Sequence, residues 1–367
     1  MTRAVEIAGR PIGPDYPPYV IAELSGNHNG SLAHGCAIFE AAAAAGADAI
    51  KLQTYRPDTI TLDCDRPDFL IPEGTWAGRR LYELYGEAHT PWDWHAPLFD
   101  CARRAGVTIF STPFDETAVD LLEALSAPAY KIASFEIVDL PLIARVARTG
   151  KPMILSTGMA GPDEIAEALR TARASGCAAP ILLHCISGYP TPIGETNLRT
   201  IADLSGRFGT IVGLSDHTLG TTAATVAVAL GAAVIEKHVT MRRADGGPDA
   251  GFSLEPAELA LLVAGCRDAF AALGRPTYAV QASERANLRF RRSLYAVADI
   301  AAGETLTRAN VRSIRPGFGL APKHLPALIG RAATRPIARG DALDWSMIAG
   351  SLPGDELGDA AVIGIEA

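Results

Sequence analysis

The sequence contains no run of 18 or more apolar residues, the length an α-helical membrane crossing requires. Its opening residues, Met1-Thr2-Arg3-Ala4-Val5-Glu6, lack the apolar core of a signal peptide, so the expected setting is the cytosol with no membrane partner. Basic excess is missing too: 33 Lys and Arg stand against 41 Asp and Glu, a net charge of -8. With no basic stripe to hold a polyanionic backbone by counterion release, nucleic acid is not an expected partner. Cys-x-x-Cys spacing is also absent. The six cysteines, at 36, 64, 101, 177, 185 and 266, are scattered and are expected to be buried thiols, not disulfides.

Apolar residues, by contrast, are plentiful at 48% of 367, enough for a large core. Short runs rich in Ile, Val, Leu and Ala recur eight times between residues 19 and 238, most of them followed by a longer stretch that reads as helix. They begin near Tyr19, Asp48, Val107, Ala129, Met153, Ile181, Ile211 and Ala233. Gly46, Gly106, Gly150, Gly209 and Gly231 precede several of them, as expected where a helix ends before a strand. Eight parallel βα units specify an α/β fold, a TIM (β/α)8 barrel, over residues 16–275. The stretch 55–91 is long, aromatic and polar, and reads as a structured loop over one barrel end.

Beyond a hinge-like linker at 276–290 the pattern changes. Residues 291–350 show short strands and an internal echo, Ile300-Ala301-Ala302-Gly303-Glu304-Thr305-Leu306 against Ile337-Ala338-Arg339-Gly340-Asp341-Ala342-Leu343, so a small, mostly β domain is expected. Residues 351–367 read as a tail.

Reacting groups in such a barrel sit where strands pass into βα loops. Polar residues close every run: Glu23 with Asn27 and His28; Lys51 and Gln53; Thr112; Lys131, Ser134 and Glu136; Ser156 and Thr157; His184, Ser187 and Tyr189; Ser215, Asp216 and His217; Glu236, Lys237 and His238. A capping bond or solvent would account for any one of them. Gathering two lysines, several acids and two histidines at one mouth costs several kcal/mol unless a ligand or metal neutralises them, on the order of magnitude of buried charges in general. His217 and His238 close adjacent strands and could share a divalent ion, with water and substrate in its other positions. Lys51 and Lys131 are compact cations suited to phosphate or carboxylate, and Glu23 and Glu136 are candidates for proton transfer. Asp249 lies in a Gly- and Pro-rich loop after the eighth run, where it serves a turn or the site. His28, His89 and His95 have no comparable partner and read as structural.

The combination Ile21-Ala22-Glu23-Leu24-Ser25-Gly26-Asn27-His28-Asn29-Gly30, Lys51-Leu52-Gln53-Thr54, Ser111-Thr112-Pro113-Phe114, Tyr130-Lys131-Ile132-Ala133-Ser134, Leu155-Ser156-Thr157-Gly158-Met159, Gly213-Leu214-Ser215-Asp216-His217 and Glu236-Lys237-His238 resembles the sialic acid synthase family. Residues 291–350, with Arg315-Pro316-Gly317-Phe318-Gly319-Leu320, resemble that family's antifreeze-like (SAF) domain. Leu81-Tyr82-Glu83-Leu84-Tyr85, Thr90-Pro91-Trp92-Asp93-Trp94-His95 and Phe252-Ser253-Leu254-Glu255-Pro256 look most like its pseudaminic acid branch. Ser187-Gly188-Tyr189 stands where N-acetylneuraminate synthases carry Asn-x-Tyr.

The resemblance implies attack by C3 of phosphoenolpyruvate on the aldehyde of an N-acetylated amino sugar, with water adding at C2 and phosphate leaving by C–O cleavage. It implies Mn²⁺ or Mg²⁺ on His217 and His238, and phosphoenolpyruvate on Lys51, Lys131, Ser134, Ser156 and Ser215. Gln53 and Thr112 would shape that site, with Phe114 and Ser187 also in the substrate pocket, while Tyr189 and Asp249 would face the sugar. It further implies a homodimer in which the SAF domain is swapped and lends Arg315 to the partner's barrel. N-acetylneuraminate or legionaminic acid synthesis, a 3-deoxy-octulosonate phosphate-type synthase and a non-catalytic sugar- or ice-binding protein are the competing readings. The C-terminal domain opposes the third of these, and the charged mouth opposes the last.

Overall fold

Eight parallel strands close into a barrel in the computed structural model, which describes residues 4–350. A short antiparallel hairpin, β1 (Val5–Ile7) and β2 (Arg10–Ile12), comes first. The barrel strands are β3 (Tyr19–Glu23), β4 (Ala49–Thr54), β5 (Thr108–Pro113), β6 (Tyr130–Ile132), β7 (Met153–Ser156), β8 (Ile181–Cys185), β9 (Val212–Asp216) and β10 (Val234–His238). They pair in chain order, and β10 closes on β3. One helix follows each: α1 (Leu32–Ala44), α2 (His95–Ala105), α3 (Glu116–Ala124), α4 (Leu140–Ala147), α5 (Pro162–Ala174), α6 (Thr200–Phe208), α7 (Thr222–Ala229) and α8 (Pro256–Leu273).

Local chemistry sets these boundaries. Ser31, Asp115 and Asp139 accept backbone N–H bonds at the starts of α1, α3 and α4. Gly106 and Gly209 end α2 and α6 in the left-handed conformation, which a Cβ would penalise.

Because side chains alternate along a strand, each barrel strand serves two environments. Val20, Ala22, Ile50, Leu52 and Leu155 join helix residues such as Ile38, Phe39, Leu98, Leu122 and Ile143 in the outer core. Tyr19, Ile21, Ala49, Phe110, Ile154, Leu183 and Val234 fill the lumen. The hairpin's Val5, Ile7 and Ile12 belong to that lumen cluster, so the barrel unit begins ahead of the expected boundary at residue 16.

The expectation that all six cysteines are thiols is corrected by a disulfide between Cys36 on α1 and Cys101 on α2, with Cα atoms 5.7 Å apart. Packing of these two helices brings together residues 65 apart in sequence, a distance at which no local motif could signal the pairing. Cys64, Cys177, Cys185 and Cys266 are thiols.

The stretch 55–91 is structured, as expected, with helical turns at Pro57–Ile60 and Pro67–Phe69 and a helix at Leu81–Ala88. Among the described residues no helix is long and apolar enough to cross a membrane.

The chain divides into two compact units after Gly274. The second carries a 3₁₀ segment (Ala282–Phe290), then β11 (Ser293–Ala296) paired antiparallel with β12 (Val311–Ile314). Its own core holds Leu294, Ile300, Leu306, Val311, Ile337 and Leu343. The internal echo is visible in space. Ile300 and Ile337 bridge each other, and Glu304 and Asp341 each accept from the backbone N–H three residues earlier, at 2.9 Å in both turns. The expected tail at 351–367 lies outside the described residues.

Candidate active site

The same alternation sorts the polar strand ends. Glu23, Lys51, Thr112, Lys131, Ser156, Ser215, Glu236 and His238 continue the lumen-facing positions upward. The intervening His184, Asp216 and Lys237 turn to the outside and do not join them. There His184 contacts the Thr196 carbonyl at 2.6 Å, and the Lys237 ammonium is fully buried against Asp216 at 2.8 Å. Lys237 also donates to the Thr218 carbonyl, while Asp216 accepts from Thr218 N–H at 2.9 Å. Lys237 therefore grips both neighbours of His217, Asp216 and Thr218.

At the mouth, Glu23 and Lys51 stand opposite each other in register. Lys51 Nζ lies 2.5 Å from Glu23 Oε2 and 3.6 Å from Glu236 Oε1, and donates to Thr112 Oγ1 at 3.1 Å. One cation thus stands between two buried carboxylates. Burial pushes Glu23 up to about 7, against the pull of Lys51. Burial also works to raise Glu236, yet Lys131 and Lys51 outweigh it and hold that carboxyl below its ordinary range. Two carboxylates in one charge cluster with their protonation driven apart is the arrangement expected of acid-base chemistry.

Lys131 differs from Lys51. Its Nζ donates to Ser156 Oγ at 2.6 Å and the Ile132 carbonyl at 2.9 Å, and among the described residues no carboxylate forms an ion pair with it. Burial lowers its pKa, with Glu236 opposing. A buried ammonium with only neutral donors and acceptors is a place for an anion to complete. Beside it, Gly158 N–H donates to Ser134 Oγ at 3.1 Å. A Cβ on Gly158 would come within 2.3 Å of Ser187 Oγ and 2.7 Å of Ser134 Oγ, so only glycine leaves this hydroxyl-lined recess open. Ser215 joins the cluster through Glu236, at 3.5 Å.

His217 and His238 pack edge to face with ring centroids 5.3 Å apart. His217 Nδ1 is 3.0 Å from the Ile186 carbonyl, which leaves Nε2 as the nitrogen available to a ligand. His238 Nδ1 is buried without a hydrogen-bond partner among the described residues, 3.8 Å from Asp249 Oδ2. Burial, then the charges of His217, Lys51 and Lys237, hold His238 well below the ordinary histidine range, as a neutral imidazole. A neutral, orphaned ring nitrogen beside a second imidazole fits a divalent ion. Among the described residues no group of three or more His, Cys, Asp or Glu side chains is assembled to hold one by itself.

Tyr189 packs on His217 at 4.5 Å and on Phe252 at 5.4 Å. Asp249 accepts from Ser25 Oγ, which also accepts from Gln53 Nε2 at 3.1 Å, so Gln53, Asp249 and the loop after β3 are tied together. Asn27 fixes the same loop to the one after β10 by donating to the Val239 carbonyl and Ser253 Oγ, both at 2.8 Å.

Three expected residues stand apart. The Phe114 ring packs on Tyr55 at 5.1 Å instead of on the charged cluster. Glu136 is outside the hydrogen-bonded network; burial pushes it up to about 7 while Lys131 opposes, and its Oε2 has no hydrogen-bond partner among the described residues. Arg315 belongs to the second unit, where it is exposed and precedes Pro316 through a cis peptide bond. His28, His89 and His95 bond to Ala88, Gly86 and Pro91 carbonyls and are structural, as expected. Sequence reasoning gave no role to Glu236 or Gly158. The first was legible as a lumen position two residues before His238; the second depends on contacts with distant loops.

Residues 38–278 match the model of the NeuB family, and residues 291–349 match that of the SAF domain. The chain belongs to the NeuB family. It is 43% identical to a pseudaminic acid synthase of Campylobacter jejuni over 332 residues, covering 90% of this chain and 97% of that protein. A pseudaminic acid synthase of Helicobacter pylori is 41% identical over 320 residues, 87% of this chain and 94% of that one. Among solved structures, the N-acetylneuraminic acid (sialic acid) synthetase from Leptospira borgpetersenii, in complex with citrate, superposes with a TM-score of 0.70 at 31% identity, covering 79% of this chain and 97% of that one. As a NeuB-family member the chain is an enzyme, a synthase.

Proposed function

We propose that this NeuB-family enzyme is a pseudaminic acid synthase. It condenses phosphoenolpyruvate with 2,4-diacetamido-2,4,6-trideoxy-L-altrose and water, giving pseudaminic acid and phosphate. The carrying observation is the buried Lys131, unpaired by any carboxylate among the described residues, beside the recess of Ser134, Ser156, Gly158 and Ser187. It suits a phosphate, while Lys51 between Glu23 and Glu236 suits a carboxylate next to a proton-transfer group. The relatives named as pseudaminic acid synthases, matched over nearly their whole length, support the choice of sugar.

In this reading Lys131 and the serines hold the phosphoryl group, and Lys51 with Thr112 orients the carboxylate end. C3 then approaches the aldehyde carbon along a fixed line. Glu23, held near neutrality, exchanges a proton as water adds at C2 and the C–O bond to phosphate breaks. His217 and His238 would hold Mn²⁺ or Mg²⁺, which would supply Lewis-acid stabilisation of negative charge on the aldehyde oxygen. Tyr189, Asp249 and Gln53 face the sugar.

The second half of this reading is a cytosolic homodimer with a swapped SAF domain. The loops after β6, β7, β8 and β9 expose Phe135, Val138, Met159, Ile193 and Leu219, an apolar rim of the kind that partners cover. In the second unit Phe290, Ile314 and Phe318 are exposed along the stretch that carries Arg315.

Phosphate release from phosphoenolpyruvate, assayed with the altrose derivative, N-acetylmannosamine and a phosphorylated pentose in parallel, tests the assignment. Turnover is expected with the first, lost in chelator and restored by Mn²⁺ or Mg²⁺, and absent in His217→Ala and His238→Ala. Preference for another aldehyde would overturn the substrate, and full activity in chelator would overturn the metal role.

A further inference from the structure

Between β4 and α2 the chain makes a narrow excursion. Leu70 bridges Arg80, Ile71 N–H donates to the Arg79 carbonyl at 2.9 Å, and Gly78 N–H returns to the Ile71 carbonyl at 2.8 Å. Its base is tied down by Arg80, which reaches Asp63 at 3.1 Å, Asp65 at 2.7 Å and Glu83 at 2.9 Å. Its tip crosses to loops that follow two other strands. Thr75 Oγ1 donates to the Tyr189 carbonyl after β8, and Trp76 Nε1 donates to the Pro248 carbonyl after β10 at 2.9 Å. The Trp76 ring lies 5.5 Å from that of Tyr189.

This contact extends an aromatic surface that starts at the two imidazoles. His238 packs on Phe252 at 5.0 Å, Phe252 on Tyr189 at 5.4 Å, and Tyr189 on Trp76. An aldehyde oxygen at the imidazoles would place the far end of the sugar along these rings, since an open-chain hexose with C–C bonds of about 1.5 Å spans roughly 6 Å from C1 to C6. The indole N–H is already spent on Pro248, so the ring offers a face but no donor. A hydroxyl lodged there would lose its water without gaining a partner, whereas a methyl would not.

The geometry points to Trp76 as a specificity-determining residue that selects a 6-deoxy amino sugar over its 6-hydroxy counterpart. The inference rests on the proposed pseudaminic acid synthase reading and adds to it the group that reads C6. It is independent of the residues that hold phosphoenolpyruvate.

The test compares kcat/KM for 2,4-diacetamido-2,4,6-trideoxy-altrose and the same sugar bearing a 6-hydroxyl, in the wild-type protein and in Trp76→Ala and Trp76→Phe. In Trp76→Ala the preference for the 6-deoxy sugar should fall about tenfold, through KM for the sugar, as pocket contacts to one methyl generally allow. KM for phosphoenolpyruvate should not move. Trp76→Phe, which keeps an apolar face without the indole N–H, should retain most of the preference. An unchanged preference in Trp76→Ala overturns the assignment whatever the absolute rate. So does a Trp76→Phe that behaves like the alanine variant, or a parallel rise in KM for phosphoenolpyruvate, since each would make the residue a latch and not a wall. A wild-type protein that releases phosphate with neither sugar overturns the underlying reading, and the C6 assignment with it.

Discussion

The two ends of the barrel use the same eight strands and the same alternation, yet they hold opposite chemistry. At the hairpin end the lumen is closed by Ile7, Ile12, Tyr19, Phe110 and Ile154, and every one of these side chains is buried among apolar neighbours. Further up the lumen, four residues after Tyr19 and two after Ala49, Ala129 and Val234, stand Glu23, Lys51, Lys131 and Glu236, also buried. Fully burying an aliphatic side chain stabilises a fold by about 1.5–3 kcal/mol, whereas burying an ion costs several kcal/mol before its partner offsets the loss. One end therefore supplies stability, and the other consumes it to keep charges where a substrate needs them.

Lys51→Met is expected to break this contrast most severely. It leaves Glu23 and Glu236 without their shared cation, so stability should fall by about 3–5 kcal/mol, and turnover, read by phosphate release, by on the order of a thousandfold. If melting and turnover are both near wild type, the mouth is not the strained end. Ile12→Ala sharpens the opposite side. Removing a fully buried side chain from the hairpin should cost about 2–4 kcal/mol in denaturant unfolding, while kcat stays within about twofold. A large loss of kcat would mean that the plug shapes the mouth.

The smallest effect is expected at Glu136, which stands between the two cases as a half-buried acid outside the network. Its folded pKa, raised by burial to about 7 from an ordinary 4.5, means that the folded state binds its proton more tightly. That contribution is complete below about pH 4.5 and is lost as pH rises through about 7. Glu136→Gln should therefore flatten the fall in stability between pH 5 and 8 by on the order of 1 kcal/mol. An unchanged slope would show that the proton at Glu136 is not linked to folding.

Much of this was legible beforehand because period-two patterning and strand-end polarity are local signals. All eight barrel strands could be placed, and Lys51, Lys131, His217 and His238 could be singled out from single runs. The outward turn of Asp216 and Lys237 was missed because polarity alone does not say which face of a strand a residue occupies. Register does, and it sends them to a buried pair behind His217. The hairpin β1–β2 escaped notice because three-residue strands carry too little periodicity.

What the sequence determined by itself was therefore the alternation: eight apolar runs ending in charge, a second unit with two related turns, and the residue types at the mouth. Tertiary structure alone decided the partnerships. Lys51 stands between Glu23 and Glu236 and not beside Glu136, Cys36 meets Cys101, and Trp76 arrives at Tyr189 from a loop more than a hundred residues earlier. The reason is physical: barrel closure sets β10 against β3 and packs α1 on α2, and no local pattern encodes which distant side chains then share a dry, low-dielectric space.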